Sequence, residues 1–323
     1  MTDVTPTTRR QLLGLSLTTA AGLATATTAR ADVASPTTAT LDLGTYNIFS
    51  SEYEDRFPDN TWESRRTAVG RIIRQRDNNP DILAIQEGQV AAQVDDLVAT
   101  LGRAYSHHVT ETDLSPRAIL WRVGMFDALD RGEVEIMGDE IDGYAEQRFA
   151  TFVRLRHLAT GGELMVLNVH LPTGGSEELQ SLRHSAVLHI AARVEQWTKQ
   201  YGDLPVVVMG DFNNYFDTVI GGVPSAPRTM VDLGFQDAFR SAQPDTRVNP
   251  DSKSKLDIVN ARTGCGADGS KQLDYVFVRP AQRATVVDWR MIVNLRAGSE
   301  VDLRVPVPSD HHPVASRVEF TWG

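Results

Sequence analysis

The chain is short of cysteine, of long apolar runs and of positive charge. A single cysteine, Cys265, stands among 323 residues. No internal disulfide can therefore staple the fold, and a zinc centre built on several cysteines is excluded. Cys265 lies in a Gly-rich stretch and reads as an incidental thiol. No stretch approaches the ~20 apolar residues of a membrane-crossing helix, so no stable membrane span is expected. Lys and Arg total 32 against 42 Asp and Glu, a formal net charge of −10. That balance offers polyanions no global attraction, although it permits a local basic groove. No internal repeat points to a solenoid.

The N-terminus has the order of a targeting segment. Thr8-Arg9-Arg10-Gln11-Leu12-Leu13 is a twin-arginine start, Leu12 to Ala26 is mildly apolar, and Ala29-Arg30-Ala31 is a small-x-small cleavage pattern. Residues 1–31 are expected to direct export through the twin-arginine machinery, leaving the mature protein secreted, periplasmic or on the cell surface. That route carries folded proteins, which agrees with a fold made without disulfides. Arg9, Arg10, Arg30 and Asp3 give the segment a net charge of +2, so the remainder carries −12. Residues 32–40 read as a Pro/Thr linker and 41–323 as one domain, expected to be a monomer.

Within that domain, short polar clusters stand at the ends of apolar runs. Leu41-Asp42-Leu43 leads to Thr45-Tyr46-Asn47, and Ile82-Leu83-Ala84-Ile85 leads to Gln86-Glu87. Leu164-Met165-Val166-Leu167 leads to Asn168-Val169-His170, and Val206-Val207-Val208-Met209 to Gly210-Asp211-Phe212-Asn213-Asn214. Such runs read as buried strands. Leu273-Asp274-Tyr275 opens an apolar run, and Ser309-Asp310-His311-His312-Pro313 precedes the last one. Helices are expected near 61–77, 89–101 and 176–200. The last of these carries Leu179, Leu182, Ala186, Val187, Ile190, Val194 and Trp197 at helical spacing. A long polar loop is expected over 243–272, holding Arg247, Lys253, Lys255, Arg262 and Lys271.

Strand ends that each contribute one Asn, Glu, His or Asp let a rigid sheet collect a polar site. Carboxylates, amides and imidazoles without thiolates suit a hard cation and phosphate chemistry. Singly, each cluster has a bland alternative: a solvated strand end for Glu87, an Asx turn for Gly210–Asn214, a structural histidine for His170. Asp310-His311-His312 also has the form of a metal-binding triplet of another phosphoesterase group, but only one strand follows it.

Taken in order, the clusters resemble the endonuclease/exonuclease/phosphatase superfamily, from Thr45 to Pro313. The resemblance implies an α/β four-layer sandwich, two mixed sheets packed face to face and flanked by helices. It implies His170, Asp211, Asn213, Asp274 and His311 as catalytic, with Asp274 orienting His311. Glu87, Asn47 and Asp310 are the implied metal residues. Asn213, His170 and Arg148 are implied against the substrate phosphate. The implied cofactor is Mg²⁺ or Mn²⁺, with Ca²⁺ as a further ion. Ser115-Pro116-Arg117 stands where some nucleases of the group place an acidic partner for the strand-end histidine.

A metal-dependent phosphoesterase is the expected function. Nucleic acid is slightly favoured as substrate, on the basic loop that enters Asp274. A phospholipid head group or a small phosphoester is the alternative, and a catalytically dead binding protein on the same scaffold is the reading from another class. The five tryptophans, at 62, 121, 197, 289 and 322, do not cluster as a membrane-seeking hairpin would require.

Overall fold

In chain order the strands are β1 (Thr37–Asn47), β2 (Ile82–Gln86), β3 (Tyr105–Val109), β4 (Arg117–Arg122), β5 (Phe126–Met137), β6 (Arg148–His157), β7 (Glu163–His170) and β8 (Val206–Asp211). The short β9 (Val219–Ile220), β10 (Val223–Pro224), β11 (Gln236–Asp237), β12 (Arg247–Val248), β13 (Lys255–Leu256) and β14 (Arg262–Thr263) follow. The chain closes on β15 (Asp274–Arg279), β16 (Ala284–Met291) and β17 (Val314–Trp322). The helices are α1 (Trp62–Ile73), α2 (Asp95–Thr100), α3 (Glu177–Tyr201), α4 (Ala226–Asp232) and α5 (Ala238–Ser241). This computed structural model describes residues 36–52, 61–75, 78–88, 90–110, 116–137, 148–248, 255–256, 262–263, 272–294 and 306–323, all in the unit Pro36–Gly323. The expected signal segment and Cys265 lie outside the described residues.

Two sheets result. One runs β12-β16-β17-β1-β2-β4-β3 and the other β11-β15-β8-β7-β6-β5. Both mix parallel and antiparallel pairs: β1 with β2 and β7 with β8 are parallel, while β1 with β17 and β8 with β15 are antiparallel. Strand alternation then divides the side chains. Leu41, Leu43, Ile82, Ala84, Ile119, Trp121, Leu164, Val166, Val207, Met209, Val276 and Val318 pack into one cluster shared by both sheets. The opposite parity of the six-stranded sheet, including Met165, Leu167 and Val208, packs on α3. In the other sheet, Tyr46, Leu83, Ile85 and Leu120 pack with Val69 and Ile72 of α1 and Leu97 of α2. The layers are therefore helix, sheet, sheet, helix, as the resemblance implied.

Ser176 caps α3 by accepting from the Leu179 N–H at 3.2 Å. Leu182, Ala186, Val187, Ile190, Val194 and Trp197 form its buried stripe, with Leu179 at the margin. Two expectations need correction. β1 starts at Thr37, inside the stretch 32–40 expected as linker, because Thr37 and Thr38 pair with Trp322 and Thr321 of β17. Part of the 243–272 stretch is ordered too: β12 pairs with β16, and β13 with β14. All five tryptophans are buried. No helix among the described residues is long and apolar enough to cross a membrane.

Candidate active site

The parity that fills the core also builds the site. Leu41 and Leu43 face between the sheets, so Thr45 and Asn47 follow them on the same face. Ile82 and Ala84 lead in the same way to Gln86, Val166 to Asn168 and His170, and Met209 to Asp211. On β15 the order reverses, and Asp274 precedes Val276 and Val278. Register does the rest. Asp211 stands opposite His170 on one side and Asp274 on the other. Gly210 makes the approach possible: at φ 148°, a Cβ there would lie 2.0 Å from the Val169 carbonyl oxygen.

Asp274, His311 and Asp211 form a chain of acid, imidazole and acid. His311 Nδ1–H donates to Asp274 Oδ2 at 2.8 Å, and its Nε2 lies 3.6 Å from Asp211 Oδ2. All three are buried. Burial alone would lower the His311 pKa, but Asp274, Asp211 and Asp310 outweigh it and raise it to about 10. Burial pushes Asp211 up to about 7, helped by Asp274 and opposed by His311, the Asn213 N–H and the Asn47 amide. The three lie close enough together to hold a metal ion. Both ring nitrogens of His311 already face a carboxylate oxygen, Nδ1 that of Asp274 and Nε2 that of Asp211.

Glu87 is the candidate ligand for a cation. Its backbone is left-handed, at φ 58°, which turns the carboxylate off the end of β2. Oε1 accepts from Asn47 Nδ2 at 2.8 Å, and Oε2 accepts from the Ser50 N–H at 3.1 Å. Burial favours its neutral acid, yet the balance of the other groups lowers its pKa: His170 when it is charged, and at all times the Asn47 amide, the His311 charge and the Ser50 N–H. An ionised carboxylate among oxygen and imidazole donors fits Mg²⁺ or Mn²⁺. Asn47 bridges the site, since the same Nδ2 also donates to Asp211 Oδ2 at 3.2 Å. Its Oδ1 accepts from the Phe49 N–H, which makes Asn47 an organiser of the two carboxylates. Asp310 is half-buried beside His311, with Ser309 Oγ 3.4 Å from its Oδ1.

His170 Nε2 lies 3.8 Å from Glu87 Oε1 and 3.7 Å from Asp211 Oδ2. Burial drives its pKa down to about 3; Glu87 opposes this, and Arg148 and Arg117 add to it. His170 is therefore a neutral imidazole. Where the resemblance offered an acidic partner for this histidine, the chain supplies a buried cation, Arg117. Asn213, at φ 47°, donates through Nδ2 to the Leu171 carbonyl at 2.8 Å, and its N–H donates to Asp211 Oδ1.

Sequence reasoning gave Arg117 no role, although parity placed it: Ile119 and Trp121 face inward, so Arg117 does as well. It also missed the amide clamp below the site. Gln86 Nε2 donates to Asn168 Oδ1 at 2.6 Å, and Asn168 Nδ2 donates to the Ile85 and Ala118 carbonyls. These bonds tie the two sheets together at the level where both contribute site residues. Arg65 is buried behind the Asn47 loop. It donates to the carbonyls of Ile48, Phe49 and Pro308.

Comparison with known proteins agrees with this geometry. The chain is 25% identical over 144 residues to the carbon catabolite repressor protein 4 homolog 3 of Arabidopsis thaliana, an alignment covering 42% of this chain and 30% of the relative. The chain thus spans less than a third of that relative's length. An endonuclease/exonuclease/phosphatase family protein from Bacteroides thetaiotaomicron superposes with TM-score 0.72 at 18% identity, covering 88% of this chain and 97% of the other. A mannosyl-6-phosphatase from the same organism superposes with TM-score 0.68 at 18% identity, covering 86% and 99%. These two likenesses show a shared fold. The signature of the Endonuclease/Exonuclease/phosphatase family matches residues 44–311, which contain every residue assembled above, and the chain belongs to that family.

Proposed function

We propose that the protein is a divalent-metal-dependent hydrolase that cleaves a phosphate ester by in-line attack of water, and that it acts outside the cytoplasm after twin-arginine export. The observation that carries this reading is the buried chain Asp274–His311–Asp211, joined to Glu87 through the single amide of Asn47. A bound Mg²⁺ or Mn²⁺ would supply charge neutralisation at a nonbridging phosphate oxygen, and Glu87, with Asp310 nearby, would hold it. The chain's own residues supply the rest. Asp211, poised near neutral pH, orients the attacking water and accepts its proton. His311, kept protonated by Asp274, donates to the phosphoryl oxygens as charge builds there. The second amide hydrogen of Asn213 and the neutral His170 would hold the phosphate.

On substrate we favour a small ester over a nucleic-acid strand. The strand reading leaned on the basic residues of 243–272. Arg247 is turned into the domain, with its guanidinium donating to the Ala242 and Arg240 carbonyls and lying 4.6 Å from the Phe239 ring. Its charge is thus spent on the fold, and the net charge repels polyanions. One structural neighbour is a mannosyl-6-phosphatase, a precedent for a monoester substrate on this scaffold. The five buried tryptophans give no support to a lipid-surface enzyme. The test is turnover of purified protein with Mg²⁺ on a panel of sugar phosphates, nucleotides, phospholipids and DNA. Release of phosphate from small esters, abolished by chelator, is expected. Activity that survives excess chelator, or is confined to DNA, would overturn it.

A further inference from the structure

A cavity of about 310 Å³ opens beside Asn213. Thr173 and Gly174 line it on the side of α3; Asn213, Tyr215, Thr218 and Leu273 line it on the side of β8 and β15. The proposed phosphate position and this cavity therefore share Asn213. Leu273 adjoins Asp274 in the chain and accepts from the Phe212 N–H at 2.9 Å, so the far wall is fixed to the catalytic strands.

The near wall is fixed too, by buried polar side chains. Arg183 Nη1 donates to the carbonyls of Pro172 at 2.8 Å and Gly174 at 2.9 Å, and Nη2 to Gln180 Oε1 at 2.9 Å. Gln180 Oε1 also accepts from Asn214 Nδ2 at 3.1 Å, and Gln180 Nε2 donates to the Pro224 carbonyl at 2.8 Å. Asn214 Oδ1 accepts from the Ala226 N–H at 2.9 Å. Arg183, Gln180 and Asn214 are all buried. One chain of hydrogen bonds thus runs from the residue after Asn213 to the loop across the cavity. A cavity braced in this way is built before any ligand arrives.

Its lining has a definite chemistry. The Arg183 guanidinium is committed to carbonyls and an amide, and among the described residues no carboxylate lines the space. Two threonine hydroxyls offer donors and acceptors. Tyr215, 42% exposed, presents an aromatic ring at the opening. At the small end of ligand-site volumes, this space suits one ring rather than a run of nucleotides.

We propose that this cavity is the subsite for the alcohol part of the ester, and that its occupant is one neutral polyhydroxylated ring, a monosaccharide carrying the phosphate, seated on Tyr215. The proposal rests on the phosphoesterase reading above for the position of the phosphate. Its test is an equilibrium binding measurement that needs no turnover. With Mg²⁺ present, calorimetry compares the non-hydrolysable methylenephosphonate analogue of a hexose 6-phosphate with methylphosphonate. The hexose compound should bind about tenfold tighter, a margin of about 1.4 kcal/mol. Tyr215→Ala should abolish the margin, and Tyr215→Phe, which keeps the ring, should preserve it. No margin in the wild type, a margin that survives Tyr215→Ala, or an equal margin for a nucleoside phosphonate overturns the assignment. A margin in a protein that hydrolyses no ester would keep the subsite and sink the phosphoesterase reading; ester hydrolysis without a margin would do the reverse.

Discussion

Replacing Asp211 with Asn should destroy activity and stabilise the metal-free fold in a pH-dependent way. Burial raises the Asp211 pKa from 3.8 to about 7. Between those values the folded protein holds a proton that the unfolded chain has released, so stability falls as pH rises through this window. The fall approaches 1.36 kcal/mol per pH unit and stops above about pH 7. Asn carries no proton to lose, so it escapes the fall. The Asn variant does place an amide against the Asn47 amide, which donates to Asp211 Oδ2 in the wild type, but that cost does not vary with pH. From pH 5 to 6.5 the wild type should therefore lose about 2 kcal/mol relative to Asp211→Asn. Asp274, the largest of the charges that raise the His311 pKa, is present in both proteins, so His311 adds little to the difference over this interval. Urea unfolding in chelator at the two pH values, followed by circular dichroism, measures the difference. A gap between variant and wild type that stays constant or narrows as pH rises would refute the idea that burial strains this carboxylate. The turnover rate of the variant should fall at least about a hundredfold.

Other groups carry their own expectations. Glu87→Gln should keep the fold but shift Mg²⁺ activation to far higher metal concentration, read from a titration of rate against metal; an unchanged titration would exonerate Glu87. His311→Ala should cut the turnover rate about a hundredfold or more. In the wild type the rate should decline only as pH rises through about 10, where the folded imidazolium loses its proton; an unchanged rate in the variant would remove His311 from the mechanism. Asn168→Leu should cost about 2–4 kcal/mol in urea melts, because the Ile85 and Ala118 carbonyls and Gln86 lose buried partners. Changing Arg9 and Arg10 to Lys should leave precursor in the cytoplasm, and unimpaired export of that double variant would dispose of the proposed route.

The fold was legible because its strands announce both ends and parity. Val206–Met209 can only be a buried strand, and Gly210-Asp211 can only be its exit. Glu87, His170, Asp211, Asp274 and His311 were each visible as a polar residue at such an end, and the structure brings them together. Their couplings were less visible, because they depend on which strands become neighbours. That His170 and Asp274 flank Asp211 follows from β7-β8-β15 adjacency, which no local pattern states. Arg117 was misjudged for a related reason. It was weighed as a missing acid, whereas its place on the inward face of β4 adds its charge, after burial and Arg148, to what keeps His170 neutral. The start of β1 was missed because Thr37 and Thr38 resemble linker until Thr321 and Trp322 arrive to pair with them.

The charges of the site also argue for a cation independently of family. Above pH 7, Glu87, Asp211, Asp274 and Asp310 offer four negative charges around the proposed phosphate position. His311 answers one, and Arg117 and Arg148, whose charges both act on His170, answer two more. The site is thus left one charge negative before a phosphate with up to two further negative charges arrives. In a buried setting such repulsion is weakly screened, and no other side chain described here reverses its sign. A divalent ion at Glu87 turns the balance positive. Inorganic phosphate should therefore bind the metal-free protein poorly, and Mg²⁺ should tighten binding by at least about tenfold at low salt. In calorimetry at pH 8, equal phosphate affinity with chelator and with Mg²⁺ would show that the protein's own cations suffice. Glu87 would then need another role.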